Sequence, residues 1–175
     1  MSEFVEKMIS REEIEKRLDE LAADISKDYA GKQLTLVCVL KGGVIFMVDL
    51  ARKLSIPVEF DFIDISSYGS SDASSGVIKI NKDLENSISG KDVLLVEDII
   101  DSGRSLSFLM KHINAKMPNS LRMCALLDKP SRRVVDDIKA DYTGFKIPDN
   151  FIVGYGLDYD QRYRNLPYIG ILKIT

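Results

Sequence analysis

The chain has 175 residues, of which 45% are hydrophobic and 29% charged, a composition for one soluble globular domain large enough to bury a core. A formal net charge of −3 and a pI near 5.3 give no long-range attraction for nucleic acid or anionic lipid. No apolar run approaches the roughly 20 residues that cross a bilayer, residues 1–6 lack a secretory pattern, and Cys38 and Cys124 sit singly in apolar runs, so the expectation is a cytoplasmic protein with two buried free thiols.

Ser10-Arg11-Glu12-Glu13 is a capping box, and Ile14, Leu18, Leu21 and Ile25 follow at helical spacing. The spacing predicts an amphipathic helix that ends near Tyr29, with Gly31 as its stop. Leu34 to Leu40 reads as a buried strand and runs directly into Lys41-Gly42-Gly43, then a second helix over 44–54. Residues 57–66 tend toward a strand through Val58, Phe60, Phe62 and Ile65. From Ser66 to Gly76 the chain is Ser, Gly, Asp and Ala around a single Tyr, which is a loop by composition. Val77 to Ile80 is a short strand.

The stretch from Val93 to Leu106, VLLVEDIIDSGRSL, organises the rest. Four apolar residues predict a strand buried on both faces that stops at the carboxylates Glu97 and Asp98. Asp101-Ser102-Gly103-Arg104-Ser105 then opens a helix carrying Leu106, Leu109 and Ile113, with the single histidine, His112. Backbone N–H groups and hydroxyls in such a loop suit a phosphate at a helix N-terminus. The carboxylates suit sugar hydroxyls or Mg²⁺. The spacing is neither Gly-x-x-x-x-Gly-Lys-Ser/Thr nor Gly-x-Gly-x-x-Gly, and by itself it leaves a plain turn as open as an anion site.

Beyond that helix come a Pro118-Asn119 turn, a strand over 120–127, the polar loop 128–133 and a weakly patterned segment with Val134, Val135, Ile138 and Tyr142. Pro148-Asp149 turns the chain into strands over 151–155 and 168–174. Strands alternating with helices imply a parallel sheet with helices on both faces. Ligands of such sheets bind at the carboxyl ends of the strands, which marks the loops near 41–43, 97–105, 128–130 and 154–164.

The fourteen-residue stretch resembles the phosphoribosyl-pyrophosphate (PRPP) signature of the type I phosphoribosyltransferases: an apolar run, two acids, two apolar residues, then Asp, a small hydroxyl residue, Gly, a variable residue and Ser or Thr. Its form is most similar to the hypoxanthine/guanine branch, and five motifs between Leu36 and Gly170 share the order and spacing. The resemblance implies an α/β, single-domain type I phosphoribosyltransferase fold. A central parallel β-sheet flanked by helices would span about 34–150, and residues of about 1–30 and 150–175 would build a small hood. It implies a purine-salvage enzyme, a homo-oligomer (dimer or tetramer), that uses Mg²⁺. The reaction would transfer the 5-phosphoribosyl group from PRPP to N9 of hypoxanthine or guanine, giving IMP or GMP and pyrophosphate.

The same resemblance assigns residues. Asp101 would be the general acid/base near purine N7, and Asp101, Ser102, Gly103, Arg104 and Ser105 would wrap the 5′-phosphate, with Arg104 at the variable place. Glu97 and Asp98 would address the ribose hydroxyls and a Mg²⁺, and Asp158 a second Mg²⁺ on pyrophosphate. Lys41, Gly42 and Arg164 would contact pyrophosphate, with a cis peptide between Lys41 and the next residue. Ser67 and Tyr68 would close a lid. Lys129 would donate to O6 of the base, Phe151 would stack on it, and Ile152 would meet its edge through backbone. His112 reads as structural. Each position also has a plainer reading: Lys129 as a solvated loop lysine, Phe151 and Ile152 as core, 67–76 as a surface excursion. Two other functions stay open, xanthine as the base and a PRPP- or nucleotide-sensing regulator that binds nucleic acid, although the pI argues against the second.

Overall fold

The computed structural model describes residues 3–67 and 77–174. The first helix, α1 (Arg11–Asp28), starts where the capping box predicts: the Glu13 N–H donates to Ser10 Oγ at 3.1 Å, and the Ser10 N–H to Glu13 Oε2 at 2.7 Å. Its buried stripe is Ile14, Leu18, Leu21, Ala22 and Ile25, and it stops at Tyr29, two residues before the left-handed Gly31.

A six-stranded sheet forms the centre, in the order β4 (Ile78–Lys82), β3 (Val58–Ser67), β2 (Leu34–Val39), β5 (Asp92–Ile100), β6 (Ser120–Asp128), β7 (Tyr142–Lys146). Its strands pair in parallel except β4, which runs antiparallel to β3. That edge departs from the all-parallel expectation. Only residues 68–77 separate β3 from β4, fewer than the dozen or more that a parallel crossover needs.

Alternation along the strands sends one set of side chains to each face. Leu34, Leu36, Cys38, Leu94, Val96, Cys124 and Leu126 pack with α1 and with Phe46, Met47 and Leu50 of α2 (Val44–Lys53). Val37, Val39, Val93, Leu95, Met123 and Ala125 pack with Leu106, Leu109 and Ile113 of α3 (Arg104–Asn114). Helices therefore cover both faces, as the sequence implies. Both cysteines are buried and free.

Three elements differ from their predicted form. β5 does not stop at the acids but continues to Ile100, because Glu97, Ile99 and Ile100 stay in register with Ala125, Leu127 and Asp128 of β6. β7 lies in the weakly patterned region, where Gly144 interrupts any apolar run. The predicted strand over 151–155 shrinks to β8 (Ile152–Val153).

A second sheet, antiparallel in the order β1 (Glu3–Ile9), β9 (Ile169–Ile174), β8, is the hood expected from the two chain ends. From the N-terminal thirty residues it takes β1 alone. α1, expected in the hood, instead lies on α2 and along the edge of β7, where Arg17 donates to the carbonyls of Gly144 at 2.9 Å and Thr143 at 2.8 Å. Its apolar stripe belongs to the core, and its arginine covers an otherwise open strand edge. No helix among the described residues is long and apolar enough to cross a membrane.

Candidate active site

β2 and β5 are neighbours, yet the chain leaves β2 toward β3 on one side and β5 toward β6 on the other. Such a reversal opens a crevice at the carboxyl ends of the two strands. Lys41-Gly42-Gly43 follows β2 there, and Asp101–Ser105 follows β5.

The loop after β5 is shaped as an anion cradle. Gly103 takes φ +85°, a left-handed conformation that L side chains rarely adopt, and stands at the N-cap of α3 without a side-chain cap. The Arg104 N–H donates to Ser102 Oγ at 3.4 Å, a long bond, and an anion at the first turn of α3 would compete only with that hydroxyl. Behind it, the Val134 N–H donates to the Ser102 carbonyl at 3.0 Å, and Arg133 Nε to the Asp101 carbonyl at 3.2 Å. Arg133 also pairs with Asp128 at the end of β6 and donates to the Ile138 carbonyl at 2.6 Å. The backbone of the cradle is therefore clamped from the 133–138 segment.

Glu97 and Asp98 lie inside β5. Glu97 is buried, and burial first, then the adjacent Asp98 charge, push its carboxyl well above the usual carboxylate range. The same surroundings, burial first and then Glu97 and Asp98, lift the Cys38 thiol to about 12, so it stays an inert thiol. Neither acid has an ion-pair partner among the described residues. Two close carboxyls with no protein cation are a donor set that fits a hard divalent ion. Among the described residues no three His, Cys, Asp or Glu gather as a ready metal site, so a cation here would take most of its oxygens from substrate and water.

Gly42 meets this pair directly: a Cβ at Gly42 would fall 1.7 Å from Asp98 Oδ2. The cis peptide lies at Leu40–Lys41, one bond earlier than the family pattern suggested. Leu40 is still bonded to the sheet through its N–H to the Ile63 carbonyl at 2.9 Å. Lys41 Nζ donates to Gln161 Oε1 at 3.3 Å. Arg164 Nη2 approaches the same oxygen at 3.3 Å, while its Nη1 donates to the Gly156 carbonyl at 2.7 Å and its Nε is buried without a partner among the described residues. Two cations thus converge on one neutral oxygen. Asp158 accepts from Arg164 at 3.0 Å and from the Gln161 N–H at 2.8 Å, so its carboxylate is engaged by the hood itself. Gly156 packs on the Gly42 carbonyl, where a Cβ would come within 2.2 Å.

Lys129 is not the solvated loop lysine of the plainer reading. It is buried at the end of β6, its N–H donates to the Ile100 carbonyl at 3.0 Å, and its Nζ donates to the Asn150 carbonyl at 2.7 Å. Phe151, next in the chain, is 55% exposed and meets Tyr159 edge-on at 5.6 Å. Phe151 is therefore an exposed aromatic near a buried lysine and not the core residue of the plainer reading. Ile152 is core in β8, paired with Ile171. Ser67 ends β3, exposed; Tyr68 and the remaining lid residues lie outside the described residues. His112 binds Asp83 at 2.9 Å, a structural role as expected.

Four participants escaped sequence reading. Gln161 and Gly156 sit in the 154–164 loop, and Arg132 and Asp149 flank Lys129. Each is identified only by contacts across the fold, although Gln161, Gly156 and Arg132 lie in or beside loops that polarity marks.

Fold and crevice together define an enzyme that handles a phosphorylated sugar, and the chain belongs to the phosphoribosyl transferase family, whose domain model matches residues 7–160. Within the family it is 51% identical to the hypoxanthine-guanine phosphoribosyltransferase of Bacillus subtilis, over 99% of this chain and 96% of that protein. The structure resembles that of a Bacillus anthracis hypoxanthine-guanine phosphoribosyltransferase with a TM-score of 0.92, at 43% identity, covering 99% of this chain and 100% of that one. A Trypanosoma cruzi hypoxanthine phosphoribosyl transferase, solved in work on its C-terminal region, oligomeric state and activity, matches with a TM-score of 0.90 at 40% identity, covering 96% and 91%.

Proposed function

We propose that this protein is a purine-salvage phosphoribosyltransferase that joins the 5-phosphoribosyl group of PRPP to N9 of hypoxanthine or guanine and releases pyrophosphate. Similarity at about half identity along nearly the whole chain supports the reaction class. The observation that carries the base assignment is Lys129, a buried ammonium held by one backbone carbonyl at 2.7 Å beside an exposed aromatic. A cationic donor matches a 6-oxo group and opposes the amino group of adenine, and a site built on such a pairing discriminates strongly.

In this reading the N-terminus of α3 and the Asp101–Ser105 loop hold the 5′-phosphate through N–H groups and hydroxyls. Glu97 and Asp98 receive the ribose hydroxyls. Lys41, Gly42 and Arg164 take the pyrophosphate, whose oxygens replace the Gln161 oxygen between the two cations. Phe151 stacks on the base, and Ile152 meets its edge through backbone. Asp101 accepts or returns the proton at N7 as N9 attacks. Pyrophosphate departs with its charge already faced by fixed cations, a largely electrostatic assistance. Glu97 and Asp98 would hold a Mg²⁺ and Asp158 a second, and bound metal would supply charge neutralisation on the leaving group. Ser67 and Tyr68 would begin a lid that excludes water from the activated sugar. We further place the enzyme in the cytoplasm as a homo-oligomer, in line with the attention given to oligomeric state in the T. cruzi relative.

Initial rates with PRPP and Mg²⁺ against hypoxanthine, guanine, xanthine and adenine test the proposal. Turnover of the first two with rejection of adenine is expected. Turnover of adenine in preference would remove the Lys129 reading, and no turnover of any base with PRPP still bound would favour a sensing protein.

A further inference from the structure

The two groups that would meet neighbouring atoms on one edge of the base, Asp101 at N7 and Lys129 at O6, are joined on the protein side. Arg132 Nε donates to Asp101 Oδ1 at 3.0 Å. The same guanidinium reaches back to Asp149, with Nη1 at 3.7 Å from Oδ2. The other oxygen of Asp149 stands 3.7 Å from Lys129 Nζ. The result is a chain of alternating charge, Asp101–Arg132–Asp149–Lys129, in which Arg132 lies between two carboxylates and Asp149 between two cations.

The surrounding backbone keeps the chain short. Pro130 to Arg132 form one 3-10 turn, closed by the Arg132 N–H donating to the Lys129 carbonyl at 3.1 Å. That turn places Lys129 and Arg132 on either side of Asp149. Arg133 meanwhile fixes the Asp101 backbone through its carbonyl, which leaves the orientation of the Asp101 carboxylate to Arg132. Side chains of Arg132, Asp101 and Asp149 are each about half exposed, at 52%, 47% and 51%. Ion pairs at that exposure contribute little to folding stability. Their consequence lies in where the carboxylate points, and small misplacements of a reacting group are costly to rate.

We propose that Arg132 is a positioning residue for the transfer reaction: anchored by Asp149, it aims the Asp101 carboxylate at the N7 position and couples that aim to the seating of Lys129 on O6. The inference rests on the assignment of Asp101 and Lys129 to the base given above. It makes the 128–133 segment more than a connector between β6 and β7, since one turn of it serves both recognition and proton handling.

The test is steady-state kinetics with hypoxanthine, PRPP and Mg²⁺ for the wild type, R132Q, R132K, D149N and R132Q/D149N, with thermal melts of each. R132Q is expected to lower kcat by about tenfold or more, within the range for a mispositioned acid/base, with KM for PRPP and the melting temperature unchanged. R132K, which keeps a cationic donor, should recover a measurable part of kcat. D149N should raise KM for hypoxanthine, and its effect on kcat should largely vanish in the R132Q background, as for residues acting through one another. Wild-type kcat in R132Q, no recovery in R132K, or fully multiplicative effects in the double variant would each overturn the proposal. A wild type that turns over no 6-oxopurine would instead overturn the base assignment on which it rests.

Discussion

Gly42 and Asp98 compete for one volume, and that contact shows how much of the site is decided by single residues. The sequence marks both positions, the first as a glycine beside a lysine and the second as an acid in a signature, but gives no sign that they touch. With a Cβ placed 1.7 Å from Asp98 Oδ2, Gly42→Ala must move either the carboxylate or the loop that carries Lys41. The fold has no reason to fail, because the displaced groups are at the mouth of the crevice rather than in its packed layers. G42A is expected to keep its far-UV circular dichroism while kcat/KM for PRPP falls by about a hundredfold, the scale on which a misplacement near 1 Å acts; activity within twofold of wild type would show that the contact is easily relieved. Lys129 teaches the same lesson from the other side. Its type and its place before Pro130 are visible in the sequence, but its burial is not, and burial is what separates it from a solvated side chain and supports the proposed contact with O6.

At the scale of elements, periodicity located the three helices and the buried strands to within a residue or two, because each has an apolar face that only one structure can bury. It failed where a partner strand decides. β5 continues through Glu97 and Asp98 because β6 lies beside it, and β7 exists because β6 and Arg17 satisfy its backbone. Asp83, in the connector from β4 to β5, is a further case of a link invisible in sequence. It accepts from the Leu84 N–H at 2.8 Å, from Lys116 Nζ at 3.1 Å and bonds the His112 ring at 2.9 Å, tying α3 to the connector. Burial pushes its carboxyl up, but these partners more than offset that and hold it at about 2. A carboxyl lowered on folding contributes stability above its ordinary 3.8 and loses it as pH falls toward 2. D83N should therefore melt below the wild type at pH 6, with the gap closing between pH 4 and pH 2. A gap independent of pH over that range would mean that the ionic character of the link is irrelevant.

For the whole molecule, the proposed function divides the labour between a sheet that would hold the sugar phosphate and a hood that would close on the base. The C-terminal strand of the hood was legible from its apolar run, whereas β1, with the sequence EFVEKMI, has no strict alternation and is a strand only because β9 pairs with it. Gly170 sits at that seam, opposite Lys7 on one side and Val153 on the other. A Cβ there would lie 2.4 Å from Val5 Cγ1 and 2.8 Å from the Glu6 carbonyl oxygen, so Gly170→Ala must push β1 away from β9. Overpacking of this kind costs about 1–3 kcal/mol, and the strain falls on the sheet that positions Phe151 and Ile152, not on the α3 N-terminus or the β2–β5 crevice. G170A is accordingly expected to lower the melting temperature by several degrees and to raise KM for hypoxanthine more than KM for PRPP. If both constants rose together, the hood and the phosphate cradle would be one mechanical unit; if only the melting temperature moved, the base would be held by the Lys129 loop with little help from the hood. The packing favours the split, because β1 touches the rest of the molecule chiefly through β9, while the cradle is clamped separately by Arg133 and Val134.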